Sequence, residues 1–195
     1  MAVEQVLEEL IYDAYANNGK SILEYSWCIW EHTDDQKDYN ANINKICTFD
    51  TVEDFWLWFL RIPSPSQFFT APRLQREKVG NRSVVSYSIF REGIEPKWED
   101  PIAKKGGEWR IRRFRNVDEV SFIWTEIVLA LIGGTLEPND KILGIRVVDS
   151  SHTNKYLYNI EIWSSDMESL NEIKRLITHT VPTVEPSKMY LRSHS

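Results

Sequence analysis

Apolar residues recur at helical spacing in several stretches of the chain and in short alternating or continuous runs between them. Val3, Val6, Leu7, Leu10, Ile11, Ala14 and Tyr15 form an i, i+3, i+4 stripe, and Asn17-Asn18-Gly19 stops it, which predicts a helix over 1–19. Tyr25 to His32 is aromatic and β-prone, 34–42 is polar, and Ile43 to Phe49 reads as a second strand. Asp50 or Thr51 can cap a helix that runs to about Leu60, with Glu53 or Asp54 completing a capping box. Pro63 and Pro65 end that helix and open a loop to Pro72, and 73–81 fits no single period. Val84 to Phe90 is a strand, Arg91-Glu-Gly93 turns the chain into the loop 94–101, and Gly106-Gly107 precedes a strand over 108–114. Asp118 caps a long helix that ends at Gly133-Gly134. Runs at 142–149 and 156–163 are strands joined by the polar loop 150–155, Asp166 caps a helix to about Thr178, and 189–192 is a short closing strand.

Hairpin-type connections favour antiparallel pairing, so the order describes an α+β fold: one strongly bent antiparallel sheet with helices on one face. The other face is left for a site. The chain divides into an N-terminal helix or extension, 1–19, and one domain, 20–195. In the helix over 118–133, Val120, Trp124, Ile127 and Leu131 form one stripe that predicts core, and Phe122, Glu126 and Leu129 occupy the other side. The helix over 50–60 carries Val52, Phe55, Trp56, Phe59 and Leu60, an apolar arc too broad for one buried face.

Composition narrows the classes. The 195 residues carry a net charge of −6, with 27% charged and 42% hydrophobic residues, which is ordinary for a folded soluble domain. No apolar run reaches the ~18–20 residues of a membrane span. The first residues carry Glu4, Glu8 and Glu9 and no basic region of the secretory type. With two cysteines, Cys28 and Cys47, a reduced cytosolic or nuclear chain is expected over a disulfide. The negative balance argues against a protein held on nucleic acid by bulk charge, while leaving room for a pocket that reads one nucleotide. Eight Trp, eight Tyr and eight Phe are the unusual feature, and they point to an aromatic core, an aromatic ligand site or both.

Catalytic signatures are absent from the sequence. It has no phosphate-binding glycine loop, no H-E-x-x-H and no G-x-S-x-G, and its four His and two Cys lack metal-ligand spacing. No enzyme, metal or cofactor is therefore expected. The informative segment is Trp98-Glu99 in a Pro-containing loop, a poor place for a core Trp and a carboxylate with only Lys97 as a local cation.

These residues sit within a longer pattern. Gly93-Ile-Glu-Pro-Lys-Trp-Glu-Asp100 and Gly106-Gly-Glu-Trp109 resemble the cap-binding translation initiation factor 4E family. Phe49-Asp-Thr-Val-Glu-Asp-Phe-Trp56 is similar to that family's first-helix motif, Ile123-Trp-Thr-Glu126 with Leu129 to Gly133 to its second helix, and Ile160-Glu-Ile-Trp163 to its late strand. The resemblance runs in order from about Ser26 to the C-terminus. It implies a cap-binding domain over 20–195, with about three helices on the convex face of the sheet and the ligand slot on the concave side. It also implies a ligand, the 7-methylguanosine cap of mRNA. Methylation at N7 makes the base cationic, so aromatic faces on either side add cation–π attraction to stacking, roughly 1–3 kcal/mol per stacking partner.

By this resemblance Trp98 is one stacking face, and Tyr39, where the family has Trp, is the other. Glu99 accepts the base N1–H and N2–H₂, and Trp163 contacts the N7-methyl group. The phosphate side departs from the family: its three basic positions are Glu108, Ser150 and Asn159 here. Strand alternation puts Arg110 and Arg112 on the face of Glu108, so Arg110, Arg112 and Lys155 are the candidate replacements, with Lys104, Lys105 and Arg146 in reserve. Less binding energy is expected from the triphosphate than in typical members. The resemblance also implies a partner groove of Val52, Trp56, Glu126 and Leu129 for a helical Tyr-x-x-x-x-Leu-hydrophobic segment, from a 4G-like scaffold or a 4E-binding repressor. The family's His-Pro-Leu upstream of the first strand reads Ser21-Ile-Leu23, which puts partner choice in question. The expected protein is a monomer within a complex, cytoplasmic with the nucleus as a second compartment, in initiation or, as the alternative, as a repressor or storage isoform. Trp27, Trp30, Trp109 and Trp124 are expected to be structural, and Trp58 has no assigned counterpart.

Overall fold

Alternation along the central strands divides the sheet into two unlike faces. A computed structural model describes residues 19–34, 42–70, 75–76, 78–79, 82–136, 139–151 and 157–194. Its main strands are β1 (Ile22–Thr33), β2 (Ile43–Thr51), β6 (Arg82–Arg91), β7 (Gly107–Ile111), β8 (Ile142–Asp149), β9 (Tyr158–Ser164) and β10 (Met189–Ser193). They pair antiparallel in the order β10-β7-β9-β8-β6-β1-β2. Short strands β4 (Gln75–Arg76) and β5 (Lys78–Val79) fall where no single period was readable, and β3 (Phe69–Thr70) lies within the expected loop to Pro72; β3 pairs β4, and β5 pairs β6. The helices are α1 (Val52–Phe59), the one-turn α2 (Pro65–Phe68), α3 (Val117–Ile132) and α4 (Leu170–Thr180).

One set of alternate residues, including Trp27, Ile29, Tyr87, Ile89, Trp109, Ile111, Ile145, Val147, Ile160 and Ile162, packs with the helices into the main core. From α3 that core takes Val120, Trp124, Ile127 and Leu131, as the stripe predicts. The opposite set is polar along the middle of the sheet: His32, Ser86, Ser88, Glu108, Arg110, Arg146, Asn159 and Glu161. Where this second face meets the loop after β6 it becomes apolar again, and Phe90, Ile94, Ala103, Leu143 and Trp163 form a separate small core.

Local chemistry sets the helix starts. Thr51 caps α1, accepting the Asp54 N–H at 3.2 Å while its hydroxyl donates to the Asp54 carboxylate at 2.7 Å. The start of β1 is stitched to the same turn, with the Ser21 N–H donating to Glu53 and the Val52 N–H donating to the Ser21 carbonyl. Two caps differ from expectation. Asn116, not Asp118, caps α3, accepting the Glu119 N–H at 2.9 Å from an extended backbone. Asp118 already lies in the first turn, where its charge complements the helix dipole. Asp166 accepts the Ser169 N–H at 2.8 Å in a turn ahead of α4, which begins later than predicted.

β7 also ends earlier than the expected 114. Arg113 adopts φ 63°, a left-handed conformation that no strand continues through. Cys28 and Cys47 are free, and their register places them on opposite faces of β1 and β2, which explains why they do not pair. The expected N-terminal helix, Tyr39 and Lys155 lie outside the described residues.

Candidate functional site

The loop between β6 and β7 presents Trp98 and Glu99. Gly93 turns the chain at φ 84°. Asp100 then organises the loop from within: one carboxylate oxygen accepts the N–H groups of Ile102 and Ala103, and the other accepts the N–H of Glu95. Buried Ile94 and Ala103 anchor the loop on Phe90 and Trp163. The loop returns through Gly106 and Gly107 because nothing larger fits. A Cβ on Gly106 would lie 1.8 Å from the Ser164 carbonyl oxygen, and one on Gly107 would lie 2.5 Å from that of Arg192.

This scaffold leaves two groups on display. Trp98 is 36% exposed. Glu99 is exposed and has no hydrogen-bond or ion-pair partner among the described residues. Lys97, the only local cation for it in the sequence, pairs instead with Glu95 at 2.7 Å.

Trp163 sits elsewhere than at the edge of an open slot. It is fully buried, edge-on to Phe90 with centroids 5.2 Å apart and covered by His194 at 4.4 Å. Its indole N–H donates to Glu161. In this structure it is the pedestal of the Trp98 loop and presents no free surface, because β10 brings His194 across it.

The C-terminal strand supplies two residues that sequence reasoning did not single out. The Arg192 guanidinium lies 3.9 Å from the centre of the Trp98 ring. His194 contacts the Ala103 carbonyl at 2.9 Å through Nδ1 and Glu108 at 3.2 Å through Nε2. These contacts depend on the β10–β7 register, Arg192 opposite Glu108, which a five-residue strand does not reveal in sequence.

Below the loop, a charged row crosses the sheet. Glu108 pairs with Arg110, whose Nη2 also reaches Glu161 at 3.2 Å. Arg146 donates through Nε to Ser86 and lies 2.8 Å from His32 Nδ1. Burial would raise the Glu108 carboxyl, but His194 and Arg110 together hold it below the usual carboxylate range. Burial raises Glu161, with Glu108 adding to the shift and Arg146 and Arg110 opposing it. Burial and the Arg146 charge push His32 down to about 4. Arg146 is thus engaged inside the sheet and is not the reserve phosphate ligand that its charge suggested. Arg110 is half-buried between two carboxylates, while Arg112, Lys104 and Lys105 lie nearer the surface. The two remaining family phosphate positions bond each other, Asn159 donating to the Ser150 hydroxyl at 3.1 Å.

On the helical side, Val52 is 36% exposed and Trp56 is half-buried against Phe55 and Phe59. Phe122, Glu126 and Leu129 follow one another along α3 at i, i+4, i+7, with Phe122 exposed and the other two half-buried. Ile22 is 83% exposed and pairs with Thr51, next to Val52. The four expected groove residues are therefore partly or fully accessible on the helix-bearing side. Trp58 is accounted for as a half-buried part of the main core.

Comparison with known proteins completes the picture. The family model described as eukaryotic initiation factor 4E matches residues 22–195. Eukaryotic translation initiation factor 4E of Aplysia californica is 33% identical over 162 residues, covering 80% of this chain and 67% of its own length. The Homo sapiens factor is 30% identical over 164 residues, covering 82% and 66%. Factor 4E1 of Drosophila melanogaster is 32% identical over 142 residues, covering 72% and 48%. The chain thus spans about half to two thirds of the length of these relatives. Among solved structures, Ascaris suum eIF4E-3 in complex with the m2,2,7G cap superposes with a TM-score of 0.72 at 22% identity, over 91% of this chain and 93% of that one. Caenorhabditis elegans eIF4E-3, in complex with the 4E-binding protein Mextli and a cap analog, gives 0.71 at 22% identity, over 90% and 94%.

Proposed function

Because this chain belongs to the eukaryotic initiation factor 4E family, we propose that it binds the 7-methylguanosine 5′ cap of mRNA and, on its helical side, a protein carrying a helical Tyr-x-x-x-x-Leu-hydrophobic segment. The single observation that carries the cap reading is the display of Trp98 beside Glu99, which has no partner among the described residues while the neighbouring Glu95, Lys97 and Asp100 are engaged within the loop. A cationic base stacks on the Trp98 face, and the Glu99 carboxylate accepts its N1–H and N2–H₂ as a charge-assisted pair. An unmethylated guanine offers the same edge without the ring charge, so selectivity for the methylated base comes from the aromatic faces.

Tyr39 supplies the second face in this proposal. Arg110, Arg112 and Lys155 face the cap phosphates. Trp163 acts on the base through the loop it supports, and contacts the methyl group only if His194 moves aside. Val52, Trp56, Glu126 and Leu129 receive the partner helix, as an amphipathic segment lies in a groove. The solved relatives with cap analogs, with Mextli and with 4E-BP support both halves of the reading. The role is recruitment of capped mRNA through a 4G-like scaffold in the cytoplasm. Retention of a repressor in preference to a scaffold in a pulldown would assign the repressor or storage role instead.

The test is quenching of tryptophan fluorescence by 7-methyl-GTP against GTP. Selectivity for the methylated nucleotide is expected, with its loss in Trp98→Ala and Glu99→Ala. Equal quenching by both nucleotides in the unmodified protein would refute the cap reading.

A further inference from the structure

We propose that the cleft at the C-terminal end of β7 binds the phosphodiester backbone of the first nucleotides that follow the cap. The proposal rests on the cap-binding reading for the direction from which the RNA arrives. The cleft has a volume of about 720 Å³. Among the described residues its lining includes Arg110, Arg112, Arg113 and Arg115 and no carboxylate. In a chain of net charge −6, four of the six residues from Arg110 to Arg115 are arginine.

The arginines are arranged at an energetic cost. Arg112 and Arg113 follow the end of β7, and their guanidiniums both lie beside Tyr190, 5.9 and 5.2 Å from its ring centre. The left-handed backbone at Arg113, φ 63°, accompanies this convergence, and such strain in a non-glycine residue collects where ligands are held. Neither arginine has an ion-pair partner among the described residues, and the Arg112 Nε is buried without a hydrogen-bond acceptor. Two like charges brought together and an orphaned donor are both relieved by an anion. Arg115 lines the same cleft, held through Nε by Glu119 at 3.3 Å. Asn116 and Val117 add the positive end of the 16-residue helix α3.

Position selects the ligand. β7 leads from Gly107, beside the loop that carries Trp98, to Ile111 at the cleft, so a ligand anchored at Trp98 that follows the Glu108-Arg110-Arg112 row runs into it. Glu108 does not block this path, because Arg110 pairs with its carboxylate and the buried His194 contacts its other oxygen. The cleft is larger than a single phosphate needs, and Phe114 and Leu157 add apolar wall for sugar or base.

The experiment measures binding of 7-methyl-GTP, a capped RNA decamer and the same decamer uncapped, across a salt series, with the unmodified chain and the double variant Arg113→Gln/Arg115→Gln. The capped decamer should bind more tightly than 7-methyl-GTP and with a steeper salt dependence. The double variant should lose that gain while holding 7-methyl-GTP unchanged, which also shows that it folds. At about 0.7 per single-strand phosphate, removal of two guanidiniums should lower the log–log salt slope by about 1.4. Equal affinity for the capped decamer and 7-methyl-GTP overturns the proposal, as does a full decamer gain in the variant. Displacement of the decamer by poly-glutamate at equal affinity overturns it in favour of an acidic protein ligand. If 7-methyl-GTP itself shows no preference over GTP, the cap reading falls separately. The uncapped decamer then decides the cleft: salt-sensitive binding lost in the variant supports it, and no binding overturns it.

Discussion

Glu99 and Asp100 are adjacent carboxylates with opposite employment. Asp100 is saturated by three backbone N–H groups of its own loop, and Glu99 is left without a partner. The family resemblance picks out Glu99, and the structure gives the physical reason the two acids differ. His32 shows the same dependence on surroundings. It accepts from Arg146 and is held neutral, with burial as the main cause and the Arg146 charge as the second, while Asp34 opposes them. Its folded pKa of about 4 lies below its ordinary 6.5, so between these values the unfolded chain binds a proton that the folded chain refuses. This contribution to stability is intact above 6.5 and is lost as pH falls toward 4. Denaturant midpoints at pH 7 and pH 5 should therefore differ less in His32→Gln than in the unmodified chain. An unchanged difference would remove His32 from the acid sensitivity. Glu161, whose folded pKa is raised, works in the opposite direction, which is why the comparison of the two chains is informative and one pH curve is not.

At the scale of elements, β10 does more than close the sheet. Arg192 and His194 hold the Trp98 loop and the Trp163 pedestal together, and His194 supplies a partner to the buried Glu108. His194→Ala should cost about 1–3 kcal/mol, the range for a buried group left short of a hydrogen bond. It should also move tryptophan emission to the red as water reaches Trp163. Loss of stability without a spectral change would mean that Trp163 stays covered by something else. The helical side makes a separate prediction. Trp56 is half-buried, so Trp56→Ala should abolish binding of a Tyr-x-x-x-x-Leu-hydrophobic peptide and leave 7-methyl-GTP quenching intact. Parallel loss of both activities would make Trp56 a core residue only. Elements of this kind were legible from sequence where one signal dominates: the α3 stripe, a helix start at Asp50 or Thr51, the hairpin of β8 and β9. The β10 contacts were not, because a short strand carries no register. The end of β7 was not either, because a positive φ at an arginine has no sequence signature.

Across the whole molecule, charge is distributed unlike the family pattern, and the consequence is a redistribution of binding energy along one path. In the proposed cap site the base end retains Trp98 and Glu99. The middle is weak for phosphate: Glu108 stands where the family has arginine, Ser150 and Asn159 satisfy each other, and Arg110 is held between Glu108 and Glu161. A phosphate that recruits Arg110 has to compete with two carboxylates already in place, so the net gain is a fraction of a free charge-assisted pair. The substitutions were readable in the sequence, but the reason they do not simply relocate to Arg110 was not, because it lies in the cross-strand pairing of Arg110 with Glu161. Trimming 7-methyl-GTP to 7-methyl-GMP should weaken binding by less than the ~10-fold that one charge-assisted hydrogen bond supplies. The measurement is a pair of quenching titrations at one ionic strength, run beside a relative that has the arginine at the Glu108 position. A loss as large as that relative's would show that the Glu108–Arg110–Glu161 row opens to phosphate and that its buried charges are a reserve for ligand.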